Sequence, residues 1–230
     1  MPVIELLLSE PTAFAESFED EPSSGLFPAE DELVAGSVPR RRREFTTVRA
    51  CARRALGQLG VASVPILPGL RGAPGWPAGV VGSMTHCVGY RAAAVARTED
   101  VVAIGIDAEP NLPIRTDGAR DLVTVAEERA RLPALRARRP EVHWDRLVFS
   151  AKESVYKAWF PLTGRSLDFD QAVVTVDPDE GTFQARLLVP GPLFDGGRLS
   201  GFEGRWLLRH DVLLTTIALA RRASAAGALV

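Results

Sequence analysis

The fold is decided by the stretch Phe149-Ser-Ala-Lys-Glu-Ser-Val-Tyr-Lys-Ala-Trp159, which sets three charged side chains in a mostly apolar and aromatic run. Neither Gly nor Pro interrupts it, so we predict one helix over residues 144–160, ended by Pro161. Glu153 and Lys157 are four residues apart and share a face of this helix. Such a pair is ordinarily a surface ion pair. Here the apolar neighbours predict a largely buried helix, and a metal ion or a phosphate would explain the charges.

A second group of charges ends a predicted strand at residues 101–106. In the sequence Gly105-Ile-Asp-Ala-Glu109, the acids Asp107 and Glu109 are two residues apart and point to the same side of an extended backbone. Two solvated carboxylates are the ordinary explanation of this short motif. Together with Glu153, however, they make a set of three hard oxygen ligands, which favours magnesium over zinc.

The composition is that of a soluble globular protein. The chain has 230 residues, a net charge of -2 and 46% apolar residues. This length allows one large domain or two small ones, and the near-neutral charge argues against a dedicated nucleic-acid binder. Cys51 and Cys87 are too few for a disulfide framework or a zinc site, so we expect free thiols. The apolar start of the chain lacks a basic segment, and no apolar run is long enough for a membrane span, so we expect a cytoplasmic protein without a membrane partner.

A basic helix is predicted over residues 39–59, with Gly60 after its end. Its apolar side chains recur at helical spacing, and Arg42, Arg49 and Arg53 lie on a neighbouring face. Since the protein as a whole is not basic, this cluster favours a local anion site over a nucleic-acid patch.

Short strands make up much of the remaining chain. Residues 2–8 are predicted to form a first strand, and residues 90–96 are predicted to form a hairpin with residues 101–106. Four further strands within residues 172–220 predict an antiparallel sheet, on which the helix at residues 144–160 should pack.

Pro110 and Pro113 mark a break in the pattern. We therefore predict an N-terminal half over residues 1–110 and a C-terminal half over residues 111–230. Each half combines a helix with a sheet, so the fold class is α+β. The small apolar tail at residues 223–230 is predicted to be disordered.

The two acidic motifs, in this order, resemble those of the phosphopantetheinyl transferases. The resemblance is to the long type associated with surfactin and enterobactin synthetases, and above all to its actinobacterial members. It extends to Val81-Gly-Ser-Met-Thr-His-Cys-Val-Gly-Tyr90 and Arg41-Arg-Arg-Glu-Phe-Thr-Thr-Val-Arg49, so it covers most of the chain between residues 39 and 167. It implies two pseudo-symmetric halves of helix plus antiparallel sheet, with the active site in the cleft between them.

The resemblance also implies the reaction. A member of this family transfers the phosphopantetheine group of coenzyme A to a serine of an apo acyl or peptidyl carrier protein, with Mg²⁺ as cofactor, and releases adenosine 3′,5′-bisphosphate. By resemblance, Asp107, Glu109 and Glu153 would hold the metal. Glu153, or a metal-bound water, would accept the serine proton, and Lys157 would stabilise the departing phosphate.

The coenzyme site is likewise implied by the resemblance. Arginines at the positions of Arg41 and Arg49 hold the 3′-phosphate of coenzyme A. Ser83, Thr85, His86 and Lys152 would lie at its other phosphates. A lysine common in related enzymes is replaced here by Pro68, so one contact is either missing or supplied by Arg71. The complete set of implied coenzyme-binding residues is Arg41, Arg49, Ser83, Thr85, His86 and Lys152.

Two other functions remain open from the residues alone. A magnesium-dependent pyrophosphatase acting on coenzyme A or a nucleotide would need the same metal ligands. A non-catalytic coenzyme A-binding protein would keep the arginines and His86 without turnover, although the intact acidic residues and Lys157 argue against it. We expect a monomer.

Overall fold

The computed structural model describes residues 3–21 and 25–221. Residue 2 and the predicted disordered tail at residues 223–230 lie outside this part of the chain. The described α-helices are α1 (Pro28–Leu33), α2 (Pro39–Gln58), α3 (Asp117–Val123), α4 (Ala126–Arg138) and α5 (Trp144–Thr163). The described strands are β1 (Ala13–Ser17), β2 (Val80–Cys87), β3 (Tyr90–Arg97), β4 (Val101–Pro110), β5 (Ala172–Asp177), β6 (Thr182–Leu187), β7 (Leu193–Phe194), β8 (Gly197–Arg198), β9 (Gly201–Arg209) and β10 (Val212–Ala220).

The strands form two main antiparallel sheets. One contains three strands in the order β1-β3-β2, and the other contains five in the order β4-β10-β9-β6-β5. β7 and β8 pair only with each other. The helices and antiparallel sheets confirm the predicted α+β class.

Each main sheet carries one long helix. The buried apolar face of α2 packs on the three-stranded sheet, and α5 packs on the five-stranded sheet, with Trp144 and Trp159 almost fully buried. Contact between α5 and β4 is very close at Gly105, where an added Cβ would lie 1.9 Å from the carbonyl oxygen of Ser154. A glycine at this position therefore lets the helix lie directly on the strand that carries Asp107 and Glu109.

Several predicted elements are confirmed with small changes. The helix at residues 39–59 is α2, and the four C-terminal strands correspond to β5, β6, β9 and β10. α5 begins at the predicted residue but continues past Pro161 to Thr163, because a proline in the last turn removes only one intrahelical hydrogen bond. The helix ends where Gly164 adopts φ 63° and donates its N–H to the carbonyl of Phe160.

The predicted hairpin of β3 and β4 is wrong. β3 pairs with β1 and β2, while β4 crosses to the other sheet and pairs with β10. The second edge of β4 meets side chains of β2, because the N–H groups of Ile106 and Ala108 donate to the hydroxyl oxygens of Ser83 and Thr85. These hydroxyls join the two sheets at the point where β4 ends in its acids.

The predicted first strand is also wrong. Within residues 3–8 a 3₁₀ turn covers Ile4–Leu6, and the backbone N–H groups of Val3 and Ile4 donate to the carboxylate of Glu16. The apolar side chains of this segment pack into the core on both sides of the turn, so their burial does not require a strand. Among the described residues, none of the helices is both long and apolar enough to cross a membrane. Both cysteines are free thiols, Cys51 buried and Cys87 half-buried.

Candidate active site

A cavity of about 790 Å³ lies where α2, β2, β4 and α5 meet. Its walls combine positive groups from α2 with acidic and basic groups from α5, and aromatic side chains lie between the two. Such a cavity has the size and mixed chemistry of a cofactor pocket. The lining residues used below are Arg41, Phe45, Arg49, Pro68, Arg71, Ser83, His86, Glu153 and Lys157.

Arg41, Arg49 and His86 all border the cavity, and we call this part of its lining the arginine wall. Arg41 Nη1 lies 3.0 Å from His86 Nε2. Burial, and next the nearby Arg41 charge, lower the pKa of His86, so the neutral imidazole accepts this hydrogen bond. An anion bound in this part of the cavity could contact both a guanidinium and an imidazole.

Arg49 lies on the same wall and is only 7% exposed. Its Nε donates to the carbonyl of Ile66 at 3.2 Å, and its guanidinium stacks over the ring of Phe45. Burial lowers the pKa of Arg49 to about 10 despite the opposing effect of Glu30. The ion pair of Arg49 with Glu30 is long, at 3.7 Å between Nε and Oε1, so the guanidinium keeps positive charge that is suited to bind a phosphate.

The other two arginines of this helix face are committed to ion pairs. Arg53 binds Glu30 at 2.9 Å, and Arg42 binds Asp31. Neither lines the cavity. The structure thus separates Arg41 and Arg49, which border the cavity, from Arg42 and Arg53, which anchor α1 to α2.

Asp107 lies at the junction of β4 and α5, in contact with the cavity-lining Lys157. Lys157 Nζ donates to Asp107 Oδ1 at 2.7 Å and to the carbonyl of Ile106 at 3.0 Å. Asp107 Oδ2 is buried and has no hydrogen-bond partner among the described residues. A buried carboxylate oxygen left in this state is a ready ligand for a cation.

Glu109 and Glu153 lie near Asp107 but are held differently. Burial and the Asp107 charge raise the pKa of Glu109 to about 7, while Arg146 opposes the shift through a 3.0 Å hydrogen bond. Burial, and next the Asp107 charge, raise the pKa of Glu153. Asp107 therefore acts electrostatically on both glutamates.

The carboxylates suit magnesium but do not form a closed cage. Among residues 3–21 and 25–221, no group of three acidic, histidine or cysteine side chains is gathered tightly enough to hold a metal ion. Magnesium in proteins commonly uses one or two carboxylates and completes its shell with water and substrate phosphates. The orphaned oxygen of Asp107, with Glu109 and Glu153 near enough to feel its charge, fits that requirement.

Three other predicted site residues have different surroundings. Lys152 is buried, and its Nζ bonds to Glu128 at 2.8 Å and to the carbonyls of Val123 and Phe169. These three contacts use all three ammonium hydrogens, and Lys152 is not among the residues that border the cavity.

The hydroxyls of Ser83 and Thr85 accept N–H groups of β4, as described above. Thr85 also donates to Asp107 Oδ1 at 3.4 Å. Ser83 still borders the cavity, whereas Thr85 acts on the acidic group instead.

Arg146 is a site residue that the sequence analysis missed. It precedes Glu153 by seven residues and Lys157 by eleven, so the three recur on one face of α5. This spacing could have indicated Arg146 as a site residue. Its ion pair with Glu109, however, joins residues 37 positions apart and has no local sequence pattern.

Comparison with known proteins identifies a family for both parts of the chain. A family model described as "4'-phosphopantetheinyl transferase N-terminal domain" matches residues 29–96, and one described as "4'-phosphopantetheinyl transferase superfamily" matches residues 103–201. The first contains the arginine wall, and the second contains the acidic residues and α5.

Individual relatives match over most of the chain. The 4'-phosphopantetheinyl transferase Svp of Streptomyces mobaraensis is 61% identical over 207 residues, which cover 90% of this chain and 84% of that protein. PptT of Mycobacterium tuberculosis is 45% identical over 221 residues, 94% of this chain and 96% of that protein. Enterobactin synthase component D of Escherichia coli is 37% identical over 123 residues, 52% of this chain and 55% of that protein. The similarity is thus greater to the two actinobacterial relatives, and the chain belongs to the 4'-phosphopantetheinyl transferase family, whose members are enzymes of the transferase class.

Proposed function

We propose that this enzyme transfers phosphopantetheine from coenzyme A to a serine of an apo acyl or peptidyl carrier protein. The serine oxygen forms a bond to the phosphorus that carries pantetheine, and the bond to the bridging pyrophosphate oxygen breaks. Adenosine 3′,5′-bisphosphate leaves with the electron pair. The observation that carries this proposal is one cavity bordered by two arginines of α2 and by Glu153 and Lys157 of α5, with Lys157 bound to Asp107.

The arginine wall would hold the nucleotide end of coenzyme A. Arg41, Arg49 and His86 supply donors within one region of the cavity, and an arginine fork binds phosphate oxygens in pairs. Arg71 and Pro68 both border the cavity, which supports Arg71 as the replacement for the lysine found in related enzymes. Ser83 also borders it and keeps a hydroxyl hydrogen to donate.

The acidic end would hold Mg²⁺. Asp107, Glu109 and Glu153 would supply its carboxylate ligands, and Asp107 Oδ2 has no other partner among the described residues. When bound, the ion neutralises pyrophosphate charge as the phosphoryl group is transferred. Lys157 contacts Asp107 and can also neutralise the leaving phosphate, since its side chain borders the cavity.

Glu153 would accept the proton of the serine hydroxyl. Its half-buried carboxylate has a raised pKa, and a carboxylate with a raised pKa is a stronger base than an exposed one. Contact with a metal ion would oppose that basicity, so a water molecule between Glu153 and the serine is the alternative acceptor.

The cavity is bordered by α2 and β2 on one side and by α5 and β4 on the other. This supports an active site in the cleft between two pseudo-symmetric halves, residues 1–110 and 111–230, each with a long helix on an antiparallel sheet. β4 would then belong to the N-terminal half by sequence while pairing with β10 of the C-terminal half. We further propose that the enzyme acts as a cytoplasmic monomer.

Mass spectrometry of an apo carrier protein tests the reaction. Incubation with coenzyme A, Mg²⁺ and this enzyme should increase the carrier mass by one phosphopantetheine, and Asp107→Asn should prevent the increase. Coenzyme A cleavage without a change in carrier mass would identify a pyrophosphatase instead. Binding of coenzyme A with neither result would identify a non-catalytic binding protein.

A further inference from the structure

A carboxylate of α1, that of Glu30, lies beside Arg49 of the arginine wall. Glu30 is fully buried, and both of its oxygens accept hydrogen bonds. Oε1 accepts the backbone N–H of Ile66 at 2.8 Å, and Oε2 accepts that of Phe27 at 3.0 Å. Arg53 Nη1 donates to both, at 3.1 Å from Oε1 and 2.9 Å from Oε2. Donors from three separate groups hold this carboxylate in one orientation.

Arg49 is held on its Nε edge. Its Nε lies 3.7 Å from Glu30 Oε1 and donates to the carbonyl of Ile66 at 3.2 Å. The guanidinium carbon lies 3.2 Å from the centre of the Phe45 ring, which sets the plane of the group. Within the described part of the chain, neither Nη group of Arg49 makes a hydrogen bond. Both Nη groups are therefore available to a phosphate that enters the cavity.

Ile66 joins Glu30 to the loop at residues 67–75. Its side chain is buried in the core beneath α2, and its backbone N–H and carbonyl bond to Glu30 and Arg49. The loop that follows closes on itself through backbone hydrogen bonds across its base, and its Arg71 borders the cavity. Glu30 thus constrains one residue of the arginine wall and the point from which this loop starts.

We propose that Glu30 is a positioning residue for coenzyme A, which fixes the Nε edge of Arg49 and the backbone of Ile66 so that both Nη groups of Arg49 meet the 3′-phosphate. The inference rests on the proposed function, in which Arg49 binds that phosphate. Burial lowers the pKa of Arg49, and Glu30 opposes this shift, so Glu30 also helps to keep the guanidinium charged.

Positioning and charge have opposite consequences when Glu30 is neutralised. A buried carboxylate beside the site repels a phosphate, so its charge alone predicts that Glu30→Gln tightens coenzyme A binding. Positioning predicts weaker binding, because the amide nitrogen of glutamine is a donor and cannot accept the N–H groups that one carboxylate oxygen accepts here. The sign of the change in affinity therefore separates the two effects.

Calorimetric titration of coenzyme A and dephospho-coenzyme A into the enzyme with Mg²⁺, without carrier protein, measures this sign independently of turnover. Glu30→Gln should weaken the binding of coenzyme A about 5- to 10-fold, as expected when part of one charge-assisted contact is lost. It should weaken that of dephospho-coenzyme A less than about twofold. Asp31→Asn is the matched control, since Asp31 is a partly exposed acid that also joins α1 to α2 through Arg42, and it should change neither affinity.

A double-mutant cycle shows whether Glu30 acts through Arg49. In the Arg49→Ala background, Glu30→Gln should cause no further loss of the preference for coenzyme A over dephospho-coenzyme A. Glu30→Gln also leaves the largely buried Arg53 without its carboxylate, which lowers stability. If the single variant does not fold, Glu30→Gln combined with Arg53→Met removes both charges of the pair. This double variant should show the same loss of preference relative to Arg53→Met alone.

The possible failures are distinguishable. If Arg49→Ala weakens both ligands equally, Arg49 does not contact the 3′-phosphate, and the coenzyme site of the proposed function is wrong together with this inference. If Arg49→Ala discriminates between the ligands but Glu30→Gln binds coenzyme A more tightly, Glu30 acts only through its charge, and this inference alone is wrong. A lower melting temperature of Glu30→Gln with an unchanged preference would make Glu30 only a structural anchor.

Discussion

Replacing Glu109 by glutamine tests the electrostatics of the acidic group in the metal-free protein. Burial, and next the Asp107 charge, raise the pKa of Glu109 from 4.5 to about 7. Between these pH values the folded protein retains a proton that the unfolded chain has released. The stability associated with the protonated side chain is complete below pH 4.5 and is lost as the pH rises through about 7.

The expected size follows from the same shift. One pH unit between the folded and unfolded pKa is worth about 1.4 kcal/mol, so the wild-type protein should lose about 2.5 kcal/mol at this site from about pH 5 to about pH 8. The side chain is 21% exposed, and solvent screening reduces this to about 2 kcal/mol. The glutamine side chain of the Glu109→Gln variant cannot ionise and escapes this loss. The attraction between Arg146 and the charged carboxylate already contributes to the pKa of about 7, so its loss in the variant is included in this value.

The measurement is urea unfolding in the presence of a chelator across this pH range. Relative to wild type, Glu109→Gln should gain about 2 kcal/mol between the acidic and alkaline ends, or about 4–8 °C in melting temperature for a chain of this size. Glu99→Gln, at an exposed position, should follow the wild-type profile. If the difference between Glu109→Gln and wild type does not change with pH, Glu109 ionises alike in both states, and our account of its surroundings is refuted.

The remaining predictions concern three basic residues. Arg49→Ala should weaken the binding of coenzyme A by about 1.5–3 kcal/mol and that of dephospho-coenzyme A much less. Arg53→Ala, a matched control outside the cavity, should affect the two ligands equally. Equal losses for both ligands in calorimetry of Arg49→Ala would show that Arg49 does not contact the 3′-phosphate. Lys152→Met should lower the free energy of unfolding by about 3–5 kcal/mol, because it leaves Glu128 buried without its cation. The affinity of the folded protein for coenzyme A should not change. A large loss of that affinity would show that Lys152 belongs to the coenzyme site. Lys157→Ala should slow single-turnover transfer far more than it weakens coenzyme A binding, since charge builds on the leaving phosphate during the reaction; near-wild-type transfer would limit Lys157 to its contact with Asp107.

Local patterns in the sequence were sufficient to predict the long helices and the strand end that carries the candidate acidic residues. The apolar periodicity of α2 and α5 sets which face of each helix is buried, because burial of that face stabilises the helix wherever it packs. The alternation along β4 likewise puts Asp107 and Glu109 at one strand end. Turn residues bound the β5, β6, β9 and β10 strands, which made these strands predictable from the sequence.

Strand partners were decided only by the tertiary structure. β3 and β4 are joined by a short turn, which favours a hairpin, yet β4 pairs with β10, more than a hundred positions later in the chain. The hydroxyls of Ser83 and Thr85 satisfy the other edge of β4, and nothing in their local sequence distinguishes this role from binding a phosphate.

The partners of the charged side chains also depended on packing between distant segments. Lys152 and Lys157 lie five residues apart on α5. Lys152 is buried against Glu128, whereas Lys157 borders the cavity and binds Asp107. The sequence by itself determined which residues carry charge and which helix face they occupy, since both follow from local periodicity. Non-local contacts decide whether a charged side chain forms an ion pair within the protein or borders the open cavity. Arg146 and Glu109 are an example, since they form an ion pair although they are 37 positions apart.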